Sequence, residues 1–214
     1  MELELSLAQR ARLESGEATS TEIRNMAKGY AKNHALGLEL WDKPLLGYRL
    51  LSILIMDKAH VPGLIDKLVA DIDAMGVDAI EKLGEWLMAN QIMNLKNPDA
   101  IIKDWSDDAS LTRRSLFWSF QARTIRKNKM VSREQAALLD LIERRIQKAE
   151  PILQWNMNYC AAQIGIFDEA LRIRCIGLGE QTGLFRDFKV SRGCTSPYLP
   201  SWINSEVRKN VNRA

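Results

Sequence analysis

Apolar residues recur at intervals of three and four along most of the chain, which is the period of an amphipathic α-helix. After Pro62, for example, charged residues separate the apolar side chains of Leu64, Ile65, Leu68, Val69 and Ile72. Almost no segment has the strict alternation of a strand. The sequence therefore predicts an all-α protein, with helices over about 20–34, 42–57, 62–75, 77–95, 98–105, 109–126, 132–150, 152–164 and 167–178 and a last short one after Pro200.

Several helix starts carry capping signals. Thr19 and Glu22 have the spacing of a capping box, and Ser132 and Gln135 form a second candidate. Asp42 followed by Lys43-Pro44 predicts the start of another helix, because proline in the first turn loses no helical hydrogen bond. The stretch 183–199 is the only long segment without a helical pattern.

Helices of about 10 to 18 residues joined by short turns, in pairs that recur every 35 to 45 residues or so, are typical of stacked two-helix repeats. A chain of 214 residues can form one such domain, so we expect a single helical-repeat domain over 1–214. Stacked repeats curve into a superhelix, and the second helix of each pair lines its concave side. That shape suits a rod-like ligand.

The two halves of the chain differ in charge. Residues 1–100 contain 11 Lys and Arg against 15 Asp and Glu, whereas residues 101–214 contain 19 against 12. A basic second half predicts an anionic partner, although a solvated basic surface without a ligand is the simple alternative. Basic residues cluster at 123–129 and 144–148.

The longest apolar run, 50–56, is far shorter than the ~20 residues of a membrane span, and the acidic N-terminus does not resemble a signal peptide. We expect a cytoplasmic protein that does not bind membranes. Cys160, Cys175 and Cys194 are too far apart for a zinc motif and are expected to be small packing residues. His34 and His60 have no partner at metal-ligand spacing, so neither a metal nor another cofactor is predicted.

Two segments resemble a known family. These are 193–203, with the sequence Gly-Cys-Thr-Ser-Pro-Tyr-Leu-Pro-Ser-Trp-Ile, and Asp104-Trp-Ser-Asp-Asp leading into Arg113-Arg114-Ser115. Both resemble bacterial DNA alkylation repair proteins of the AlkD-like group, and the similarity extends from about residue 20 to the end. The resemblance implies HEAT-like helical repeats forming a concave cradle for double-stranded DNA. It also implies metal-free excision of cationic N3- or N7-alkylated purines, by a protein that we expect to be a monomer.

The family's pocket contains two aromatic residues, an aspartate and an arginine. Its Trp-x-x-x-Asp step resembles Trp86 to Asn90, so the resemblance places an amide where the family has its catalytic carboxylate. A carboxylate stabilises the cationic sugar that forms as the glycosidic bond breaks, whereas an amide offers only a dipole. We therefore expect slow or absent excision, and Asn90→Asp should accelerate it. Replacement of the lost carboxylate by Glu85, Asp107 or Asp108 stays open.

The arginine position resembles Arg114, with Arg113 beside it; consecutive helical residues point about 100° apart, so only one need face DNA. The second aromatic matches Tyr159, although Trp155 lies one turn earlier and could serve instead. Two functions follow. The first is a repair protein that binds alkylated or distorted duplex DNA, with a glycosylase activity that is weak or lost; the alternative is a non-catalytic helical scaffold for DNA structure or a protein partner.

Overall fold

The computed structural model describes residues 4–211, and all regular secondary structure in that range is helical. The α-helices are α1 (Leu7–Glu14), α2 (Ser20–Lys28), α3 (His34–Trp41), α4 (Leu46–Ile55), α5 (Val61–Met75), α6 (Val77–Ala79), α7 (Glu85–Asn90), α8 (Asp99–Ile102), α9 (Leu111–Arg126), α10 (Ser132–Arg145), α11 (Pro151–Phe167), α12 (Glu169–Thr182) and α13 (Leu199–Val211). A π-helical turn (Ile80–Gly84) joins α6 to α7, and short 3₁₀ turns cover Ile92–Asn94, Trp105–Asp107 and Ile146–Lys148. The predicted all-α class is confirmed.

The helix starts confirm one predicted cap and correct two others. The Thr19 side chain accepts a hydrogen bond from the Glu22 amide, and the Glu22 carboxylate accepts one from the Thr19 amide, so the first capping box is real. The second is wrong, because Ser132 already lies inside α10 and its start has no side-chain cap. Asp42 was also misplaced: it ends α3, a helix that the sequence pattern missed between the predicted helices 20–34 and 42–57.

The described residues form two compact units, unit 1 up to Leu116 and unit 2 from Phe117 onward, and the division falls within α9. In unit 1, α4 lies at the centre and contacts α1, α2, α3 and α7. Its core includes Leu13, Ile23, Leu51 and Ile55, all almost inaccessible to solvent. Each unit is described separately below, and the expectation of a single domain stays a prediction.

In unit 2, α11, α12 and α13 contact one another, and α10 packs on α11. Gly165 is required at the centre of this packing, because a Cβ at that position would lie 2.6 Å from Ile203 Cδ1 and 3.0 Å from Cys175 Cβ. Cys160 and Cys175 are buried free thiols, as expected of packing residues, whereas Cys194 is exposed, so the same expectation for Cys194 is wrong. Burial raises the pKa of both thiols.

α13 closes the C-terminal end of unit 2. Leu199 and Ile203 are buried, and Asn158 Nδ2 of α11 donates a 2.9 Å hydrogen bond to the Pro197 carbonyl just before α13. The similarity-bearing segment 193–203 therefore has a structural role. No helix among residues 4–211 is both long and apolar enough to span a membrane.

Candidate nucleic-acid interface

Trp86 and Asn90 lie one turn apart on α7, as their spacing predicts. The π-helical turn that precedes α7 changes the direction in which its side chains point, and such turns are frequent at functional sites. Buried Gln91 fixes the end of α7, because its Nε2 donates hydrogen bonds to the Ile53 and Met56 carbonyls at the end of α4. Trp86 is half-buried and packs against the core of unit 1.

Arg24 of α2 lies on the face of Trp86. Its guanidinium carbon is 4.7 Å from the ring centroid, and Nη1 donates a 3.3 Å hydrogen bond to Asn90 Oδ1. Asn90 Nδ2 in turn donates to the Trp86 carbonyl at 2.9 Å. The cation, the aromatic ring and the amide form one contact group, which we call the Arg24 cluster. Both ends of the Asn90 amide are thus engaged within unit 1.

The Arg24 cluster has a clear electrostatic character. An aromatic face attracts a cation, and here the protein's own guanidinium takes that position. A second cation, such as an alkylated purine, would meet repulsion from Arg24, and the amide of Asn90 carries no charge to offset it. The arrangement is suited to a neutral or anionic neighbour.

The two candidate arginines sit in the first turn of α9. Asp73 of α5 anchors this turn: its Oδ1 accepts from the amide and hydroxyl of Thr112, and its Oδ2 accepts from the Ser110 hydroxyl at 2.5 Å. A carboxylate is favourable there, because the first amides of a helix have no intrahelical acceptor. Asp73 therefore fixes the start of α9, and with it the backbone positions of Arg113 and Arg114.

Arg113 is held within unit 1. It donates to Asp108 at 2.9 Å and to Asp66, and its guanidinium lies 5.6 Å from the centroid of the Trp105 ring. Asp108 also accepts a hydrogen bond from the Ser110 amide. This bond, which has the larger effect, and the bond from Arg113 both lower the pKa of Asp108. Arg113 and Asp108 are thus engaged with each other, and which of the two arginines contacts DNA stays a prediction.

Unit 2 contains the two alternative aromatic residues in different surroundings. The half-buried Tyr159 ring lies 5.7 Å from the ring of Trp202 on α13. Trp155, one turn earlier on α11, is more exposed and contacts Phe185 and Phe188. The pocket implied by the resemblance would draw on both units, so its assembly, and the choice between Tyr159 and Trp155, stay predictions.

The excess of positive charge in unit 2 includes several exposed lysine and arginine side chains. Unit 2 has 16 Lys and Arg against 9 Asp and Glu. Around the end of α9 and along α10, six cations are exposed and form no ion pair within residues 4–211: Arg126, Lys127, Lys129, Arg133, Arg144 and Lys148. Cations without an internal partner are available to bind phosphate oxygens.

Arg24 and Asp73 were not identified from the sequence. Arg24 lies in a short amphipathic helix, and nothing in its spacing links it to Trp86, 62 positions away. Asp73, which accepts from the Thr112 amide, lies 39 positions before it, so no local signal in the sequence links the two residues. Among residues 4–211, no group of three His, Cys, Asp or Glu side chains is arranged to hold a metal.

The comparisons with known proteins identify the family. The described helices form an all-α, HEAT-like helical-repeat fold. Residues 18–180 match the family described as DNA alkylation repair enzyme, so the chain belongs to that family. The resemblance and the HEAT-like fold are both confirmed.

One solved structure matches nearly the full length of the chain. It is described as "a new family of proteins related to the HEAT-like repeat DNA glycosylases with affinity for branched DNA structures". The TM-score is 0.66 at 14% identity, covering 97% of this chain and 89% of that one, which establishes a shared fold. No curated protein gave a match.

Proposed function

We propose that this protein binds DNA with a distorted or branched structure and does not excise alkylated bases efficiently. The observation that carries the proposal is Arg24, which lies on Trp86 and donates to Asn90. In the family's pocket an aromatic face and a carboxylate receive a cationic base. Here a permanent cation lies on that face, and an amide replaces the carboxylate.

The loss in catalysis can be estimated. Removing one preorganised electrostatic group from a glycosidic transition state costs about 3 to 4 kcal/mol, or about 10² to 10³ in rate. Arg24 adds to this cost, because a guanidinium beside the reacting sugar opposes the positive charge that develops there. Both effects act in the same direction.

DNA binding is supported by a different part of the chain. The unpaired cations of α9 and α10 and the anchored first turn that presents Arg114 suit contacts with phosphates, which carry no sequence information. The matched solved structure, whose protein has affinity for branched DNA, is consistent with a shape reader. We infer that Arg114 binds a DNA phosphate. We also infer that the Trp86 ring holds the Arg24 guanidinium in place at the DNA-binding surface.

Parallel binding and excision assays test the proposal. Fluorescence anisotropy would compare a linear duplex with a three-way junction of the same strands, while single-turnover assays measure base release from a duplex containing N7-methylguanine. We expect tighter binding to the junction and release no faster than in buffer. Rapid release would refute the non-catalytic part, and equal or absent binding to both DNAs would refute the structure-reading part.

A further inference from the structure

Three aromatic rings form an exposed cluster on unit 2. Trp155 of α11 lies 5.3 Å from Phe185 and 5.7 Å from Phe188, and the two phenylalanines are 6.2 Å apart, measured between ring centroids. Despite these contacts Trp155 is 41% and Phe188 50% exposed. We call this group the aromatic cluster. Contiguous exposed aromatic surface of this kind is characteristic of binding sites, whereas exposed apolar residues that stand alone, such as Ile173, are ordinary.

The backbone holds the aromatic cluster in place. Gly183 ends α12 in the left-handed region, at φ 65°, which reverses the chain toward Trp155. Phe185 also has a left-handed φ, of 60°, which is uncommon for a bulky residue. The first residues after α12 thereby turn two phenylalanine rings toward the same tryptophan.

Cations alternate with these aromatic rings along the chain. In the segment 183–192, Arg186, Lys189 and Arg192 accompany one acidic residue, Asp187. Lys189 and Arg192 are exposed and form no hydrogen bond or ion pair with any residue of 4–211. Arg186 is directed differently: it donates to the Glu180 carbonyl and to Tyr198 Oη, and it lies over the Tyr198 ring.

We propose that the aromatic cluster stacks an unpaired nucleobase of DNA while Lys189 and Arg192 bind the adjacent phosphates. Single-stranded nucleic acid offers alternating flat bases and anionic phosphates, and aromatic rings with interleaved cations complement both. In a paired duplex the bases are stacked on one another and cannot reach the rings. This site therefore responds to unpaired nucleotides, and Phe188, the more exposed of the two phenylalanines, is its main stacking residue.

This inference rests on the proposed function, since it names the feature of distorted DNA that unit 2 contacts. It adds Phe185, Phe188, Lys189 and Arg192, none of which the family resemblance assigns, to Trp155. An apolar protein partner would also cover the rings. It would not require Lys189 and Arg192 to be unpaired, and we therefore favour DNA.

Three fluorescein-labelled DNAs would test the proposal by anisotropy with the full-length protein: a paired duplex, the same duplex interrupted by a short run of unpaired thymidines, and single-stranded oligothymidylate. Phe188→Ala removes the exposed ring. Ile173→Ala is the matched control, because Ile173 is an 83% exposed apolar residue of the same unit. Phe188→Trp keeps a stacking surface and serves as the rescue variant.

We expect Phe188→Ala to weaken binding to the interrupted duplex and to oligothymidylate by about 10-fold, in the range measured for loss of one base–aromatic stack. Binding to the paired duplex should change by less than about two-fold, Ile173→Ala should resemble wild type, and Phe188→Trp should restore affinity.

If Phe188→Ala lowers affinity for all three DNAs equally, or leaves all three unchanged, the stacking site is wrong while the proposed function stands. If the wild-type protein binds none of the DNAs, both fail. Binding to oligothymidylate that survives Phe188→Ala but is lost in Ile173→Ala would also overturn the assignment.

Discussion

The Arg24 cluster makes a specific prediction about restoring the family's carboxylate. Asn90→Asp puts a carboxylate oxygen where Arg24 Nη1 now donates at 3.3 Å. Opposite charges about 4 Å apart attract by roughly 4 kcal/mol at an effective dielectric constant of 20, although solvent exposure leaves at most about 1 kcal/mol of net stability. The new carboxylate should therefore pair with Arg24, and its field at the reacting sugar would be largely cancelled.

Consequently Asn90→Asp alone should increase base release by no more than about 3-fold, whereas the double variant Arg24→Gln/Asn90→Asp should gain at least about 10-fold. Glutamine at 24 removes the positive charge and keeps a hydrogen-bond donor. The assay is single-turnover release of N7-methylguanine from a duplex, with undamaged-duplex affinity as the control for altered binding. The two substitutions form a double-mutant cycle whose coupling term measures the Arg24 effect.

Two results would refute this reasoning. If Asn90→Asp is as fast as the double variant, Arg24 does not screen position 90. If the double variant binds DNA normally and still releases no base, then either position 90 is not the family's carboxylate position or the rest of the pocket is missing.

Three further predictions follow from the described contacts. Arg114→Ala should weaken binding to all DNA sequences alike and reduce the slope of log affinity against log salt by about 1, measured by anisotropy titrations; an unchanged slope would exclude a phosphate contact. Gly165→Ala should destabilise the protein by about 1 to 3 kcal/mol in urea unfolding, whereas Gly177→Ala, where a Cβ meets nothing within 4 Å, should not; equal effects would contradict the packing of α11, α12 and α13. Hydrogen bonds from Arg12 and Thr19 hold the pKa of Glu22 at about 2. The ionised Glu22 carboxylate therefore stabilises the folded protein above about pH 4.5, and this contribution is lost as the pH falls toward 2. The difference in melting temperature between wild type and Glu22→Gln should disappear over that range, and a difference that stays constant would contradict the assignment.

The fold was predictable from the sequence because its signals are local. Helical periodicity and caps such as Thr19–Glu22 depend on neighbours within one turn. Where a local signal misled, as at Ser132, the helix begins at that residue itself, so the N-cap position falls on Val131, and Gln135 donates instead to the Met130 carbonyl. Asp42 misled for a similar reason, since an Asp before Lys-Pro also suits the end of a short helix.

The candidate site was predictable only in part. The one-turn spacing of Trp86 and Asn90 followed from the sequence, but the partner that changes their chemistry comes from α2, far away along the chain. The same holds for Asp73, which anchors α9, and for the loop phenylalanines that meet Trp155. Contacts between distant helices depend on tertiary packing, which no sequence window contains.

The central claim is that this family member binds DNA structure without efficient base excision. One experiment tests it directly: wild-type protein is incubated in excess with a three-way junction that carries N7-methylguanine, and bound DNA and released base are measured in the same sample. We expect salt-sensitive binding with base release at the rate seen without protein. Release that is accelerated by about 10³ or more, as a functioning electrostatic site would produce, would contradict it.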